Sequence, residues 1–178
     1  MRFLVVQDYK ENRRKCSLRT LEGRDEFTWM RLSRPSRQQS GPLSSVELGD
    51  GLLLAVDAPP LTSADREFLE GGTAPVGAPF PIIILDSTWR RLQHVCSRLA
   101  VKPGAQLLRR SLPGEWSTAY PRTSKLFEDP DGGLASVEAV FASTAILGEP
   151  RYEYLHNYRW EGEFLRCNAE LLNDPRGG

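Results

Sequence analysis

A chain of 178 residues has the size of one ordinary domain, or of a domain with a small added lobe, which excludes most multidomain machines. Hydrophobic residues make up 40% of the chain and charged residues 26%, so a packed core is expected and a disordered or fibrous protein is not. The 23 basic side chains equal the 23 acidic ones in number, which argues against nucleic-acid or membrane binding by bulk charge.

Five short apolar runs predict β-strands. Three of them, at 3–7, 52–57 and 82–86, are bounded by polar residues, glycine or proline, as is typical of strands buried on both faces of a parallel sheet, and the other two have a weaker pattern. In chain order the five runs are Phe3–Gln7, Phe27–Leu32, Leu52–Asp57, Ile82–Asp86 and Gln106–Leu108.

Helical periodicity follows several of these runs. A cap at Thr62 or Ser63 predicts one helix start, and apolar side chains spaced three and four apart predict helices over 89–99, 134–147 and 153–172. Alternating strands and helices indicate an α/β fold with a mostly parallel sheet. The segment Glu70–Pro81, with three glycines and three prolines, predicts a loop that separates a smaller N-terminal lobe from the rest.

Asp86 marks the candidate site. It lies at the carboxyl end of the most hydrophobic predicted strand, where parallel α/β sheets bind ligands, and Trp89 follows after three residues. A carboxylate beside an aromatic plane suits a flat heterocycle with a charged tail, although Asp86 capping the helix and Trp89 packing in the core is the alternative. Glycine-rich phosphate loops and a G-x-S-x-G nucleophile turn do not occur, which argues against nucleotide hydrolysis, dinucleotide redox chemistry and covalent hydrolysis.

The cysteines Cys16, Cys96 and Cys167 are isolated from one another, as expected in a reducing cytoplasm. His94 and His156 have no further ligands at suitable spacing, so no metal site is predicted. The apolar run at the start of the sequence is too short for a signal peptide, and no run reaches the length of a membrane span. A protein of the cytoplasm, without a membrane partner, is therefore expected.

The neutral net charge conceals alternating segments. Residues 13–37 carry eight basic and three acidic side chains, and residues 90–125 carry eight and one, whereas 38–89 carry one and seven and 126–178 carry four and ten. If folding brings the two basic segments together, a neutral protein acquires a positive face. The alternative is that these charges are solvated and paired with the acidic segments.

The segment Ile84-Leu85-Asp86-Ser87-Thr88-Trp89-Arg90 resembles the Asp-x-Thr-Trp signature of the DTW superfamily of aminocarboxypropyltransferases, which use S-adenosylmethionine on RNA uridines. Further segments are similar, in the same order, to the small-subunit rRNA aminocarboxypropyltransferases, one branch of these enzymes. These segments are an aspartate and Lys-Cys-Ser at 8–17, LAVDAPPLTSADRE at 54–67, Ser-Leu-Pro at 111–113, LASVEA at 134–139 and the region 158–172. The resemblance covers nearly the whole chain.

This resemblance implies a small N-terminal α/β lobe, residues 1–72, packed on a SPOUT-like domain, residues 73–178, with a C-terminal trefoil knot. It implies S-adenosylmethionine as co-substrate, no metal, and rRNA or a precursor of the small ribosomal subunit as partner. Asp86 would be the catalytic residue near the transferred group. The implied cofactor-binding residues are Ser17, Leu85, Trp89, Leu112, Gly132 and Ser136. The basic residues expected to bind RNA phosphates are Lys15, Arg90, Arg91, Arg109, Arg110, Arg122 and Lys125.

Ser87-Thr88 stands where this branch has Cys-Ser and is closer to the tRNA-modifying branch, whose zinc cysteines are missing here. Three alternatives therefore stay open: a tRNA-uridine aminocarboxypropyltransferase, a SPOUT-type RNA methyltransferase, and a non-catalytic ribosome-assembly factor. A monomer is expected, because Trp160, Phe164 and Leu165 are assigned to the chain's own core and no long apolar seam is left.

Overall fold

The computed structural model describes residues 1–34, 45–71, 79–121 and 133–173. Its strands are β1 (Arg2–Gln7), β2 (Phe27–Arg31), β3 (Val46–Leu48), β4 (Gly51–Leu54), β5 (Pro81–Asp86), β6 (Leu99–Val101) and β7 (Leu107–Arg110). Its α-helices are α1 (Asp65–Gly71), α2 (Trp89–Cys96), α3 (Ser136–Ile146), α4 (Glu161–Cys167) and α5 (Ala169–Asn173). Short 3-10 helices cover Ser17–Leu21 and Tyr152–Tyr154.

Five strands form one parallel sheet in the order β2-β1-β5-β4-β7, and β3 pairs with β6 in a separate parallel pair. β5 lies in the centre, where its register with β1 runs from Arg2 opposite Pro81 to Gln7 opposite Asp86. Because all five strands are parallel, their carboxyl ends meet at the same edge of the sheet. The predicted α/β fold with a mostly parallel sheet is thus confirmed.

Both faces of the central strand are covered. Ile82 and Ile84 belong to a core cluster that includes Phe141 of α3, while the intervening Ile83 packs in a second cluster with Val95 of α2. Alternate side chains of a strand point to opposite faces, so an unbroken apolar run is what a strand covered on both sides requires. This burial fixes the end of β5, and with it Asp86, between two packed layers.

Strands β1, β2 and β5 are confirmed within one residue of their predicted ends, and β4 ends three residues earlier than predicted. The helix predicted over 89–99 is wrong at its end: it stops at Cys96, and Leu99 begins β6 because it pairs with Val46. The helix predicted over 153–172 is also wrong. A left-handed residue, Asn157 at φ 66°, separates a 3-10 turn from α4 and α5.

The predicted boundary between residues 72 and 73 lies outside the described residues. Strands from both sides of it pair in one sheet, since β1 and β4 flank β5 directly. The division into two units and the trefoil knot stay predictions. None of the helices in the described ranges has the length and apolar character of a membrane span.

Candidate functional site

A cavity of about 670 Å³ opens at the carboxyl edge of the sheet. This is the edge at which parallel α/β sheets bind ligands, and the volume lies within the usual range of small-molecule sites. Segments that follow four strands, together with the start of α3, form its walls. The lining residues fall within 11–17, 54–56, 84–92, 111–121 and 133–139.

Asp86, the last residue of β5, lies in this cavity and is 4% exposed. Its Oδ2 accepts hydrogen bonds from Gln7 Nε2 at 2.9 Å and from the Cys16 thiol at 3.1 Å. Its Oδ1 accepts a bond from the Ser136 hydroxyl at 2.7 Å. These bonds join the carboxylate to β1, to the segment before the first 3-10 helix and to α3, and none of them caps α2.

The Cys16 thiol is a donor in this cluster. Burial, followed by the charge of Asp86 and the hydrogen bond to it, raises the pKa of Cys16 far above its ordinary value. The sulfur therefore keeps its proton at neutral pH and donates it to Asp86. Neighbouring Ser17 accepts a hydrogen bond from the Val137 amide at 3.2 Å, which supplies a partner for the first turn of α3.

Trp89 opens α2 and forms a wall of the cavity. Its indole lies directly against the backbone of Gly133. A Cβ added at Gly133 would lie 2.5 Å from Cζ2 and 2.7 Å from Cε2 of Trp89, closer than side chains pack. Only glycine fits this contact, and the contact limits where the indole can lie in the wall of the cavity that Asp86 also lines.

Behind the cavity, Asp8 and Arg91 join the end of β1 to α2. The Asp8 side chain is 2% exposed, and Arg91 binds both of its oxygens while its guanidinium also lies over the Tyr9 ring at 5.1 Å. Burial alone would raise the pKa of Asp8, but the Arg91 guanidinium and the amide of Lys10 outweigh it and lower that pKa. Asp8 therefore stays ionised, and the pair holds the turn between β5 and α2 in place.

A buried carboxylate also organises the opposite wall. Glu138 of α3 is fully buried and accepts hydrogen bonds from the Thr118 hydroxyl at 2.6 Å and the Tyr158 hydroxyl at 3.0 Å. It also accepts the amides of Ala119, at 2.9 Å, and Ala135, at 2.7 Å. These contacts tie the segment after β7 to the start of α3, where both line the cavity.

The structure brings most of the predicted site residues together. Gly132, predicted to hold the cofactor, lies outside the described residues, as do the predicted RNA-binding residues Arg122 and Lys125. The predicted catalytic and cofactor-binding residues that line the cavity are Asp86, Ser17, Leu85, Trp89, Leu112 and Ser136.

The predicted basic face divides into two groups. Lys15 lines the cavity and Arg90 lies exposed on α2. Three other arginines form ion pairs with known partners. Arg91 pairs with buried Asp8, and Arg110 binds the carboxylate of buried Asp65 with N–O distances of 2.8 to 2.9 Å. Arg109 pairs with exposed Asp57 at 3.1 Å. Arg110 thus pairs with an aspartate of an acidic segment, as the alternative interpretation of the charge pattern expects, and Arg91 pairs with Asp8, which lies outside the four segments.

Sequence reasoning missed Glu11, Gln7 and Cys16. Glu11 lies in the cavity wall at the end of a loop after β1, half-buried. Burial and then the charge of Asp86, with a smaller contribution from Asp8, raise its pKa. In the sequence Glu11 belongs to a polar run without periodicity, and only its position in the folded loop, in the cavity wall, distinguishes it from the neighbouring polar residues. Across the described ranges, no group of three His, Cys, Asp or Glu side chains is arranged to hold a metal ion.

Comparison with known proteins gives a fold likeness. No family model matches the chain, and no curated protein matches it. A solved structure that it resembles is the SAM-dependent rRNA:acp-transferase Tsr3 from Vulcanisaeta distributa, with a TM-score of 0.66 and 22% sequence identity. The likeness covers 96% of this chain and 80% of that chain. The protein therefore shares its fold with an rRNA-modifying transferase.

Proposed function

We propose that the protein transfers the 3-amino-3-carboxypropyl group of S-adenosylmethionine to a uridine-type base of RNA, in small-subunit rRNA, and releases methylthioadenosine. One observation carries this proposal: Asp86 and Trp89 meet in a cavity at the carboxyl edge of a sheet whose fold resembles an rRNA acp-transferase. In this proposal the protein works as a cytoplasmic monomer without a metal, and its chain contains the trefoil knot of SPOUT-like folds.

The cavity residues fit S-adenosylmethionine chemically. The sulfonium and the ammonium of that molecule are cations, which a carboxylate and the face of an indole attract. Asp86 and Trp89 supply these two groups, and Leu85 and Leu112 supply apolar wall for the adenosine. Ser17 and Ser136 complete the proposed pocket. Gly132 is included in it on the basis of the sequence resemblance alone.

Specificity in this reaction is a matter of orientation. A sulfonium has three electrophilic carbons, and the one that reacts is the one held in line with the incoming nucleophile. Asp86 is suited to such positioning because three donors from three segments fix its carboxylate. Its proposed role is to hold the aminocarboxypropyl chain and the target nitrogen in line.

RNA binding is proposed for the basic residues around the cavity. Lys15 is exposed in the cavity wall, Arg90 is exposed on α2, and Arg109 forms an exposed ion pair with Asp57 that can be exchanged for a phosphate. Arg122 and Lys125 belong to the same proposal by their position in the sequence. In this proposal Arg91 and Arg110 keep their carboxylate partners and contribute to RNA binding only through the electrostatic potential around the cavity.

The proposal is tested by incubating the protein with small-subunit rRNA and S-adenosylmethionine labelled in the carboxyl carbon, then analysing the digested RNA by mass spectrometry. We expect one uridine-type nucleoside to gain the aminocarboxypropyl mass and the label. Label entering RNA only from the methyl group would show a methyltransferase instead. Label entering only tRNA would move the substrate to tRNA, and RNA binding without any affinity for S-adenosylmethionine would indicate an assembly factor.

A further inference from the structure

Within the described part of the chain, two carboxylates line the cavity, and their surroundings differ. Asp86 is 4% exposed, and its two oxygens already accept hydrogen bonds from Gln7, Cys16 and Ser136. Three of the roughly four acceptor sites of this carboxylate are thus taken by donors of the protein, and its orientation is fixed. Asp86 is therefore suited to attract a cation and to position a substrate, which leaves the uptake of the proton to a second, less enclosed group.

Glu11 has the surroundings that such a group requires. The loop that carries it is held in place, because the Glu11 amide donates to the Asp8 carbonyl at 3.0 Å and the Glu11 carbonyl accepts from the Arg31 guanidinium at 3.0 Å. The same guanidinium binds the Tyr9 carbonyl at 3.1 Å. Two backbone anchors thus fix a loop whose side chain reaches the cavity, where Glu11 is half-buried and open to a ligand.

We propose that Glu11 is the proton acceptor of the transfer reaction, an assignment that rests on the proposed function. A uridine-type ring nitrogen gives its proton to the Glu11 carboxylate and forms a bond to the terminal carbon of the aminocarboxypropyl chain. The electron pair of the broken carbon–sulfur bond stays on sulfur, so the sulfonium leaves as neutral methylthioadenosine. No further reactant is needed, and Glu11 later returns the proton to water.

The charged groups around Glu11 support this role. Burial and the negative charges of Asp86 and Asp8 raise its pKa, and the amide of Asn12 and the charge of Arg31 oppose that rise without cancelling it. Lys15 and Cys16 line the same cavity. A base works best when its pKa lies near the working pH, and these surroundings shift the pKa of Glu11 upward, toward neutral pH.

The test compares Glu11→Gln with Glu11→Asp and with Glu67→Gln, a matched change at an exposed glutamate of α1 outside the cavity. Single-turnover transfer is measured at saturating S-adenosylmethionine from pH 5 to pH 9, and its affinity is measured by calorimetry. For Glu11→Gln we expect a rate lower by roughly 10²- to 10⁴-fold, the usual contribution of a general base, with affinity changed by less than about threefold. Glu11→Asp should recover part of the rate, and Glu67→Gln should match the native protein.

A second readout does not depend on activity. The NMR signal of the Glu11 carboxyl carbon is identified as the one that disappears in Glu11→Gln. In the native protein without ligand, this signal should titrate with a pKa above the ordinary value of 4.5. The saturated transfer rate should fall as the pH is lowered and Glu11 becomes protonated in the complex, and this fall should be absent from Glu11→Gln. A native rate in Glu11→Gln, a loss of affinity with an unchanged saturated rate, or titration at or below 4.5 would each overturn the assignment. Absence of transfer by the native protein would instead overturn the proposed function.

Discussion

At the scale of single residues, the contact between Trp89 and Gly133 sets the shape of the cavity. Gly133→Ala places a methyl group within 2.5 to 2.9 Å of three indole atoms, so the ring has to move from its place in the cavity wall. We expect the affinity for S-adenosylmethionine, measured by calorimetry, to fall about tenfold, which corresponds to about 1.4 kcal/mol.

Gly162→Ala is the control for this change. Gly162 lies in α4 with open space around it, so alanine there should leave the affinity unchanged and stabilise the helix by about 0.5 to 1 kcal/mol. Unchanged binding by Gly133→Ala would show that the indole plane is not part of the ligand site.

The ion pair between Asp8 and Arg91 carries a second prediction. Arg91→Ala leaves a buried carboxylate without its cation, and removal of one partner of such a pair typically costs about 3 kcal/mol of the free energy of unfolding. Urea denaturation at pH 7 measures this loss. Lys102→Ala, at an exposed residue after β6, should change the stability by less than about 0.5 kcal/mol. Equal stability of both variants would contradict a structural role for the pair.

How far the sequence predicts the site depends on what each residue contacts. Asp86 and Trp89 could be placed at the sheet edge because a buried strand and a periodic helix frame them. Gln7 ends β1 and pairs with Asp86 across the sheet, whereas Cys16 and Glu11 reach the cavity from the loop after β1. The course of that loop depends on tertiary contacts such as the bonds of Arg31 to the loop carbonyls, which leave no periodic signal in the sequence.

At the scale of secondary-structure elements, the hydroxyl of Tyr158 fastens the segment before α4 to α3. Its bond to the buried Glu138 carboxylate is lost in Tyr158→Phe, and we expect the free energy of unfolding to fall by about 2 kcal/mol, as for hydrogen bonds to charged groups. Tyr152→Phe removes a hydroxyl from a tyrosine that is 45% exposed and should cost less than about 0.5 kcal/mol. Chemical denaturation distinguishes the two, and an equal cost would contradict the role of Glu138 as an anchor.

The elements also show where sequence prediction fails. β1 and β5 were predictable because burial on both faces demands an unbroken apolar run. The early end of α2 was not predictable. Leu99 fits the helical period, and it belongs to β6 only because it pairs with Val46 from a distant segment. Local pattern fixes elements whose burial is regular, whereas short strands depend on partners far along the chain.

At the scale of the whole molecule, two buried Asp–Arg pairs connect neighbouring elements: Asp8 with Arg91, and Asp65 with Arg110. Both aspartates have a pKa lowered below 3.8, so their contribution to stability is fully present above that value and is lost as the pH falls through the lowered pKa. We expect urea unfolding to show a steep loss of stability below about pH 4. Glu11 has a raised pKa, so it has the opposite effect: its contribution to stability is present below its ordinary pKa of 4.5 and is lost as the pH rises through the raised pKa.

Arg91→Ala provides the comparison for this pH profile. Without the guanidinium the pKa of Asp8 is no longer lowered, so the acid-dependent loss of this variant should be smaller than that of the native protein although its stability at pH 7 is lower. Parallel profiles of the two proteins would show that other groups cause the acid sensitivity.

The central place of β5 also has a consequence for the order in which the chain folds during synthesis. β1 and β4 leave the ribosome before β5 but do not pair with each other, because β5 lies between them. Until residues 81–86 emerge, Val5 is flanked by β2 on one side only, and Leu52 has no paired strand on either side. Pairing over such long stretches of chain is slow and leaves apolar strand edges exposed, so we expect aggregation to compete with folding mainly before β5 is available.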